Sequence, residues 1–127
     1  MLACLLVASA ISIGVGGALL LAYNLVPQYL VELTAVATLV LLVLAIFVRR
    51  ANFWAINIST ALGVIAPLFS LSTPAHIGVL LSLGQGLLIS LLGMLQILGF
   101  FVFPIAFVII RIVFWKRVSS AGKGLQN

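Results

Sequence analysis

Long stretches of this sequence contain no charged side chain, and this feature most restricts how the chain can fold. Hydrophobic residues make up 65% of the chain and charged residues 6%, whereas a soluble domain is about a quarter charged. Such a chain has too little polar surface to face water, so it is predicted to be an integral membrane protein. Because backbone groups in lipid must be hydrogen-bonded within their own segment, its spans are predicted to be α-helices.

Four apolar runs follow one another within a single hydrophobic helical unit, residues 1–127, and no polar linker separates them. Each of the first three runs is close to the roughly 20 residues that cross a bilayer core. Pro27 and Pro74 stand between runs, where proline is typical of helix ends and turns. The sequence therefore predicts an all-α fold of about four helices, at residues 3–25, 29–48, 53–71 and 77–115, with a polar tail at 118–127.

The fourth run is too long for one straight span. Residues 77–110 contain no charge, and a straight helix of that length would measure about 51 Å, against a bilayer core of about 30 Å. Two helices could share the run, although no strong turn signal divides it, or the helix could lie outside an ordinary bilayer. We predict one long helix that is kinked or broken near Gly99–Pro104, because proline disfavours helix at the residue before it.

The positive charges indicate how the spans are oriented. Arg49 and Arg50 lie between the second and third runs, and Arg111, Lys116 and Arg117 follow the fourth. With four spans both clusters fall on one side of the membrane, whereas a fifth span would separate them. Lys and Arg flank spans on the cytoplasmic side, so four helices with both termini cytoplasmic are predicted, and Arg111, Lys116 and Arg117 are assigned to topology.

Small residues at a spacing of four form ridges on three of the predicted helices. Residues four apart lie on one face of a helix, and small side chains let helices approach closely in lipid. The predicted packing residues are Ala10, Gly14, Ala18 and Ala22 in the first helix, Ala55, Ser59 and Gly63 in the third, and Gly78, Ser82, Gly86 and Ser90 in the fourth. The partner helix could belong to the same chain or to another copy. In the second helix, which has no glycine, Thr34 and Thr38 could bond to their own helix or to a neighbour.

Residues capable of catalysis or metal binding are few. Glu32 is the sole acid and is expected at interfacial depth, His76 follows a proline in a loop, and Cys4 is the single cysteine. No metal-ligand spacing, catalytic pair or phosphate-binding glycine loop is present. We therefore predict that the chain is not an enzyme and has no metal site, cofactor or small-molecule substrate. Gln85 and Gln96 are expected to form hydrogen bonds between helices.

The arginine pair is the most informative polar feature. Positive charge at a tight helical hairpin lies where lipid phosphates lie, and the planar guanidinium of arginine binds phosphate through paired donors. Trp54 is of the aromatic type enriched at membrane interfaces. Arg49, Arg50 and Trp54 are therefore predicted to bind lipid phosphate, which makes membrane lipid the expected partner and bound phospholipid the expected non-protein component.

The stretch IFVRRANFWAI, within residues 31–71, resembles the core of the conjugative pilins of type IV secretion systems, in which a short basic loop joins two apolar helices. Archaeal DNA-import pilins look similar in plan. The resemblance implies a non-catalytic subunit of a lipid-containing helical homopolymer, an extracellular filament after assembly. Arg49 and Arg50 would then face lipid head groups in the lumen, and DNA would pass through the tube without direct contact. Bacterial members of the family are shorter, lack the fourth helix and expose both termini on the outer side.

Two other roles fit the same composition. A small, charge-poor, four-helix chain could be an accessory subunit of a respiratory or transport complex, with other membrane subunits as partners. It could also be a hydrophobic capsid protein of a lipid-containing archaeal virus. A channel or transporter is disfavoured, because only Glu32, Gln85 and Gln96 could line a polar path.

Overall fold

The computed structural model describes the backbone of residues 1–123 and the side chains of residues 1–115. This part of the chain is mostly helical and contains no strand. Its elements are α1 (Leu2–Ala22), α2 (Gln28–Arg49), α3 (Phe53–Ser72), α4 (Pro74–Leu81), α5 (Leu87–Ile97), a π-helical turn (Leu98–Val102) and α6 (Phe103–Lys123). The sequence predicts that the fourth helix ends at residue 115, but α6 continues to Lys123. The last four residues of the predicted polar tail lie outside the described part.

Four helical segments are long and apolar enough to cross a membrane: Leu2–Ala22, Gln28–Arg49, Phe53–Ser72 and Leu87–Trp115. The prediction of an all-α membrane protein with about four hydrophobic helices is confirmed. The last of these segments, with 29 residues, is about 44 Å long at 1.5 Å per residue. It exceeds the bilayer core of about 30 Å, so this helix must tilt or extend beyond the core.

The fourth apolar run differs from its predicted boundaries, because a turn at residues 82–86 divides it into α4 and α5. Gly84 adopts a left-handed φ of 90°, which glycine accepts without steric cost. The N–H of Gly84 donates to the hydroxyl of Ser90 at 3.0 Å. The helix predicted over 77–115, with its irregular point near Gly99–Pro104, is therefore interrupted a second time, and α4 packs beside α5 as a short helical hairpin.

The irregular point predicted between Gly99 and Pro104 is confirmed, and it takes the form of the π-helical turn at Leu98–Val102. Pro104 follows this turn, has no N–H to give to the carbonyl of Phe100, and has a ring that crowds that carbonyl. The wider turn relieves this conflict. The hydroxyl of Ser9 on α1 donates to the carbonyl of Gly99 at 2.7 Å, so the neighbouring helix satisfies an oxygen at the irregular turn.

The spanning helices form a ring around a central space. Within residues 1–123, α1 packs against α2 and against the α5–α6 helix, while α3 packs against α6 and α2. The backbones of α1 and α3 do not approach closely, and neither do those of α2 and α6. The hydrophobic core closes one end of the ring, where it consists of Leu6, Leu44, Ala45, Val48, Ala55 and Phe107.

The small-residue ridge of α1 only partly follows the contact with α2. Ala10 is fully buried, and a Cβ on Gly14 would lie 3.3 Å from the Thr38 methyl group. The contact continues through Gly17 against Thr34. The two other predicted ridge residues, Ala18 and Ala22, are instead exposed, because the line of contact turns toward the residue three positions after Gly14.

Both threonines of α2 bond to their own helix. Thr34 donates to the carbonyl of Leu30 at 2.7 Å, and Thr38 donates to the carbonyl of Thr34 at 2.8 Å. Because the hydroxyls are satisfied locally, the threonines present their methyl groups to the glycines of α1. The sequence left open whether these threonines bond to their own helix or to a neighbouring one, and the structure shows bonds within α2.

The ridge of α3 is buried along its length. Ala55, Ser59 and Gly63 are all buried, and a Cβ on Gly63 would lie 3.0 Å from the carbonyl oxygen of Pro104 and 2.8 Å from a methyl group of Val108. Glycine therefore allows α3 to touch the backbone of α6.

The ridge predicted in the fourth run does not exist as a continuous surface. The turn at residues 82–86 places Ser82 and Gly86 at helix ends. A Cβ on Gly78 or Gly86 would meet nothing within 4 Å, and Ser90 serves the turn. Of the small residues in this region, Gly93 and Gly99 have close neighbours instead.

The contact at Gly63 yields a stability prediction. Gly63→Leu should lower the free energy of unfolding by at least the about 1–3 kcal/mol that overpacking costs, because the new side chain must displace backbone as well as Val108. The measurement is thermal unfolding in detergent. Gly78→Leu is the matched control, since it adds the same side chain where nothing lies within 4 Å. Equal melting temperatures for the two variants would contradict the contact.

Candidate functional site

The connection between α2 and α3 is a tight turn with a defined cap. Arg49 ends α2, Arg50 follows it, and Ala51 adopts a left-handed φ of 55°. Asn52 then starts α3, and its side-chain oxygen accepts hydrogen bonds from the backbone N–H groups of Trp54 and Ala55 at 3.0 and 3.3 Å. The cap fixes the direction of α3 immediately after the arginine pair.

No carboxylate side chain lies near the two arginines in the described part of the chain. Arg49 and Arg50 are both exposed. Glu32, the only acidic side chain in the sequence, lies near the opposite end of α2, about 26 Å away along the helix. There it accepts a hydrogen bond from the side chain of Gln28 at 3.3 Å. The hairpin end is therefore a region of net positive charge, which we call the basic end.

Aromatic side chains surround the basic end. Trp54 is 74% exposed and meets Phe53 edge to face, with ring centroids 6.4 Å apart. Trp115 on α6 is also exposed. Exposed tryptophan beside arginine is the combination found at the level of lipid head groups.

A third arginine lies near this end of the ring and is tied to α3. The guanidinium of Arg111 on α6 donates to the side-chain oxygen of Asn57. Arg111 thus has a structural contact besides the topological role predicted for it. Lys116 and Arg117 follow on α6, and their side chains lie outside the described residues. Sequence reasoning missed Asn57, although a lone amide one turn into an apolar helix was the available signal.

A second polar cluster lies inside the ring, away from the basic end. The amide nitrogen of Gln96, on α5, donates to the hydroxyl of Ser70 at 3.0 Å and to the carbonyl of His76 at 3.2 Å. It joins α5 to α3 and α4, so the prediction of an interhelical hydrogen bond is confirmed for Gln96. The same prediction is wrong for Gln85, which is exposed in the turn between α4 and α5.

His76 lies on α4 beside this cluster rather than in a loop. Its ring lies near those of Phe69 and Phe100, with centroid distances of 6.3 and 5.2 Å, and its Nδ1 atom is buried without a hydrogen-bond partner. Burial lowers the pKa of His76 below its usual value of 6.5. Burial of His76 thus favours the uncharged imidazole.

A cavity of about 400 Å³ occupies the centre of the ring. Its lining is mostly apolar and comes from every helix, with Ser59 and His76 among the few polar residues. The hydroxyl of Ser59, a residue only 1% exposed, has no hydrogen-bond partner. Two unpaired polar atoms, Ser59 Oγ and His76 Nδ1, therefore belong to residues that line this space.

Metal-ligating side chains do not gather in the part of the chain that the structure describes. No group of three or more histidine, cysteine, aspartate or glutamate residues forms there. The site features are thus an exposed basic end and an apolar cavity with a few hydrogen-bonding groups. No protein-family profile, curated protein or solved structure matches this sequence. The fold and its apolar spans define an all-α membrane protein.

The buried imidazole predicts a pH-dependent stability. Because the pKa of His76 is lower in the folded chain than in the unfolded chain, the unfolded state binds a proton first as the pH falls. The melting temperature in detergent should therefore decrease as the pH is lowered from 7.5 through 6.5 toward 5. His76→Gln should remove this dependence, since histidine is the side chain that normally titrates in this range. An unchanged pH profile in the variant would show that His76 is not its cause.

Proposed function

We propose that this chain is a non-catalytic structural subunit that packs through its hydrophobic helices into a lipid-containing helical homopolymer, similar in plan to a conjugation pilus. In this proposal the loop with Arg49 and Arg50 faces lipid head groups. The observation that carries it is the basic end itself, where two exposed arginines lie at a tight hairpin beside the exposed ring of Trp54. Among the described side chains, neither arginine has a carboxylate partner.

Phosphate recognition at the basic end has support from two sources. The guanidinium groups of Arg49 and Arg50 offer paired donors to phosphate oxygens. The N-terminus of α3 begins directly after them, and a helix N-terminus carries partial positive charge that favours anions. A lipid phosphate placed here would offset charge that the chain does not neutralise by itself.

The outer surface of α2 supports assembly with lipid or with other helices. Apolar side chains along α2 remain exposed because α1 and α3 cover only part of that helix. A surface of this kind must meet hydrocarbon or another protein. The exposed apolar residues of α2 that do not line the central cavity include Leu39, Leu42, Val43, Ile46 and Phe47.

The fold extends the two-helix plan of the resembling pilins. Near the basic end α2 and α3 share the hydrophobic core, but farther along both helices line the central cavity. There α1 packs on α2, and α6 packs on α3. The additional helices would thus hold the hairpin open within each subunit, while the outer face of α2 remains available for contacts between subunits.

Electron microscopy of the gently extracted protein, with lipid phosphate quantified per chain, tests the proposal. The wild-type chain should form uniform filaments that contain phospholipid in a fixed ratio to protein. Arg49→Ala combined with Arg50→Ala should abolish the filaments or release the lipid, because the phosphate then loses both cationic partners. Arg49→Lys with Arg50→Lys is the matched control. It keeps the charge without the planar guanidinium and should retain lipid more strongly than the alanine variant.

Other outcomes would change the assignment. Filaments of the alanine variant with unchanged phospholipid content would contradict the role of the arginine pair. Discrete particles that contain other polypeptides would replace the polymer by the accessory-subunit role. Closed shells that enclose lipid would replace it by the capsid role.

A further inference from the structure

The central cavity reaches the outer surface of the chain between α2 and α3. Leu33 and Val40 on α2, together with Ile65 and Phe69 on α3, line the cavity and are also exposed. At the basic end the hydrophobic core closes the space between these helices. A molecule dissolved in the surrounding hydrocarbon can therefore enter the cavity sideways, at the end away from the arginine pair.

The shape and the mostly apolar lining of the cavity suit an elongated apolar molecule. Ser59 and Phe69 both line the cavity, and they are separated by about 15 Å along α3. A space of this length bounded by aliphatic and aromatic side chains suits a hydrocarbon chain. An apolar cavity of such size excludes water from most of its wall and lowers stability when it is left unfilled.

Among the polar side chains of this wall, two have a buried atom without a hydrogen-bond partner. One such atom is Nδ1 of His76, a residue whose backbone carbonyl accepts a hydrogen bond from the Gln96 side chain. Ser59 provides an unpaired hydroxyl toward the basic end. Burying an unpaired polar atom costs free energy of about 1–3 kcal/mol, so a ligand oxygen that completes a hydrogen bond here is favoured.

We propose that the cavity binds one long-chain lipid with an uncharged head that carries a hydroxyl or carbonyl oxygen. The head lies beside His76 and Gln96, at the open end, and the hydrocarbon chain extends toward Ser59. A phosphate head does not fit, because no arginine or lysine is among the lining residues. This site is separate from the proposed phospholipid contact at Arg49 and Arg50, so either can fail without the other.

Native mass spectrometry of the full chain in detergent tests the proposal with three probes: 1-octadecanol, octadecane and octadecyl phosphate. The wild-type chain should bind one 1-octadecanol molecule at the cavity, and bind octadecane and octadecyl phosphate more weakly. Ala66→Trp fills the cavity from α3 and should abolish this binding. Ala61→Trp is the matched control, because residue 61 is exposed on the same helix and does not line the cavity. Ala37→Trp fills the cavity from α2 and replaces Ala66→Trp if that variant does not fold.

The position of the head is tested separately. His76→Phe keeps an aromatic ring but removes Nδ1, and should weaken 1-octadecanol binding about 5- to 10-fold, the equivalent of one neutral hydrogen bond, without affecting octadecane. Ser59→Ala should leave both affinities unchanged. Equal binding by the cavity-filled and control variants would overturn the site, and tight cavity binding of octadecyl phosphate would overturn the uncharged head. An effect of Ser59→Ala in place of His76→Phe would overturn the assigned orientation.

Discussion

Glycine residues determine how these helices pack, because they let the backbones of two helices come into close contact. Hydrocarbon surrounds an apolar helix as favourably as another apolar helix does, so hydrophobic burial provides little net attraction between spans. The chain instead brings Gly63 against the carbonyl of Pro104, and Gly99 against Ile13. At the second contact the hydroxyl of Ser9 also satisfies a carbonyl of the π-helical turn. The irregular turn, the position of α1 and the position of α3 all depend on these approaches.

The spans were predictable from the sequence because the length of an apolar run is set by the thickness of the bilayer. The packing ridges were predictable only in part. On α3 the spacing of four matches the contact with α6, whereas on α1 the contact passes from Gly14 to Gly17. Which face of a helix meets its neighbour depends on the crossing of the two helices, and this is a property of the whole bundle.

The turn between α4 and α5 escaped prediction because glycine and serine have two roles in membrane helices. They permit close packing, and they also permit turns. The sequence pattern predicts packing for Ser82 and Gly86, whereas the left-handed Gly84 and the bond from its N–H to Ser90 make this segment a turn. Similarly, the arginine pair was visible as local charge, but the cavity was not, since it arises from residues on every helix.

The helices α2 and α3 meet at their hairpin and separate farther along. This arrangement explains why the two candidate sites, the basic end and the central cavity, differ in chemistry. Their shared hairpin forces both arginines outward at the basic end, where charge can be hydrated or can meet phosphate. Farther along, the helices separate and enclose apolar walls, where an unpaired charge would be very costly. Among the described residues, no arginine, lysine, aspartate or glutamate lines that space, and its polar residues include Ser59, His76 and Gln96. His76 leaves a polar atom unpaired in this apolar space, and the proposed uncharged amphiphile supplies an oxygen beside His76 and hydrocarbon for the remaining walls.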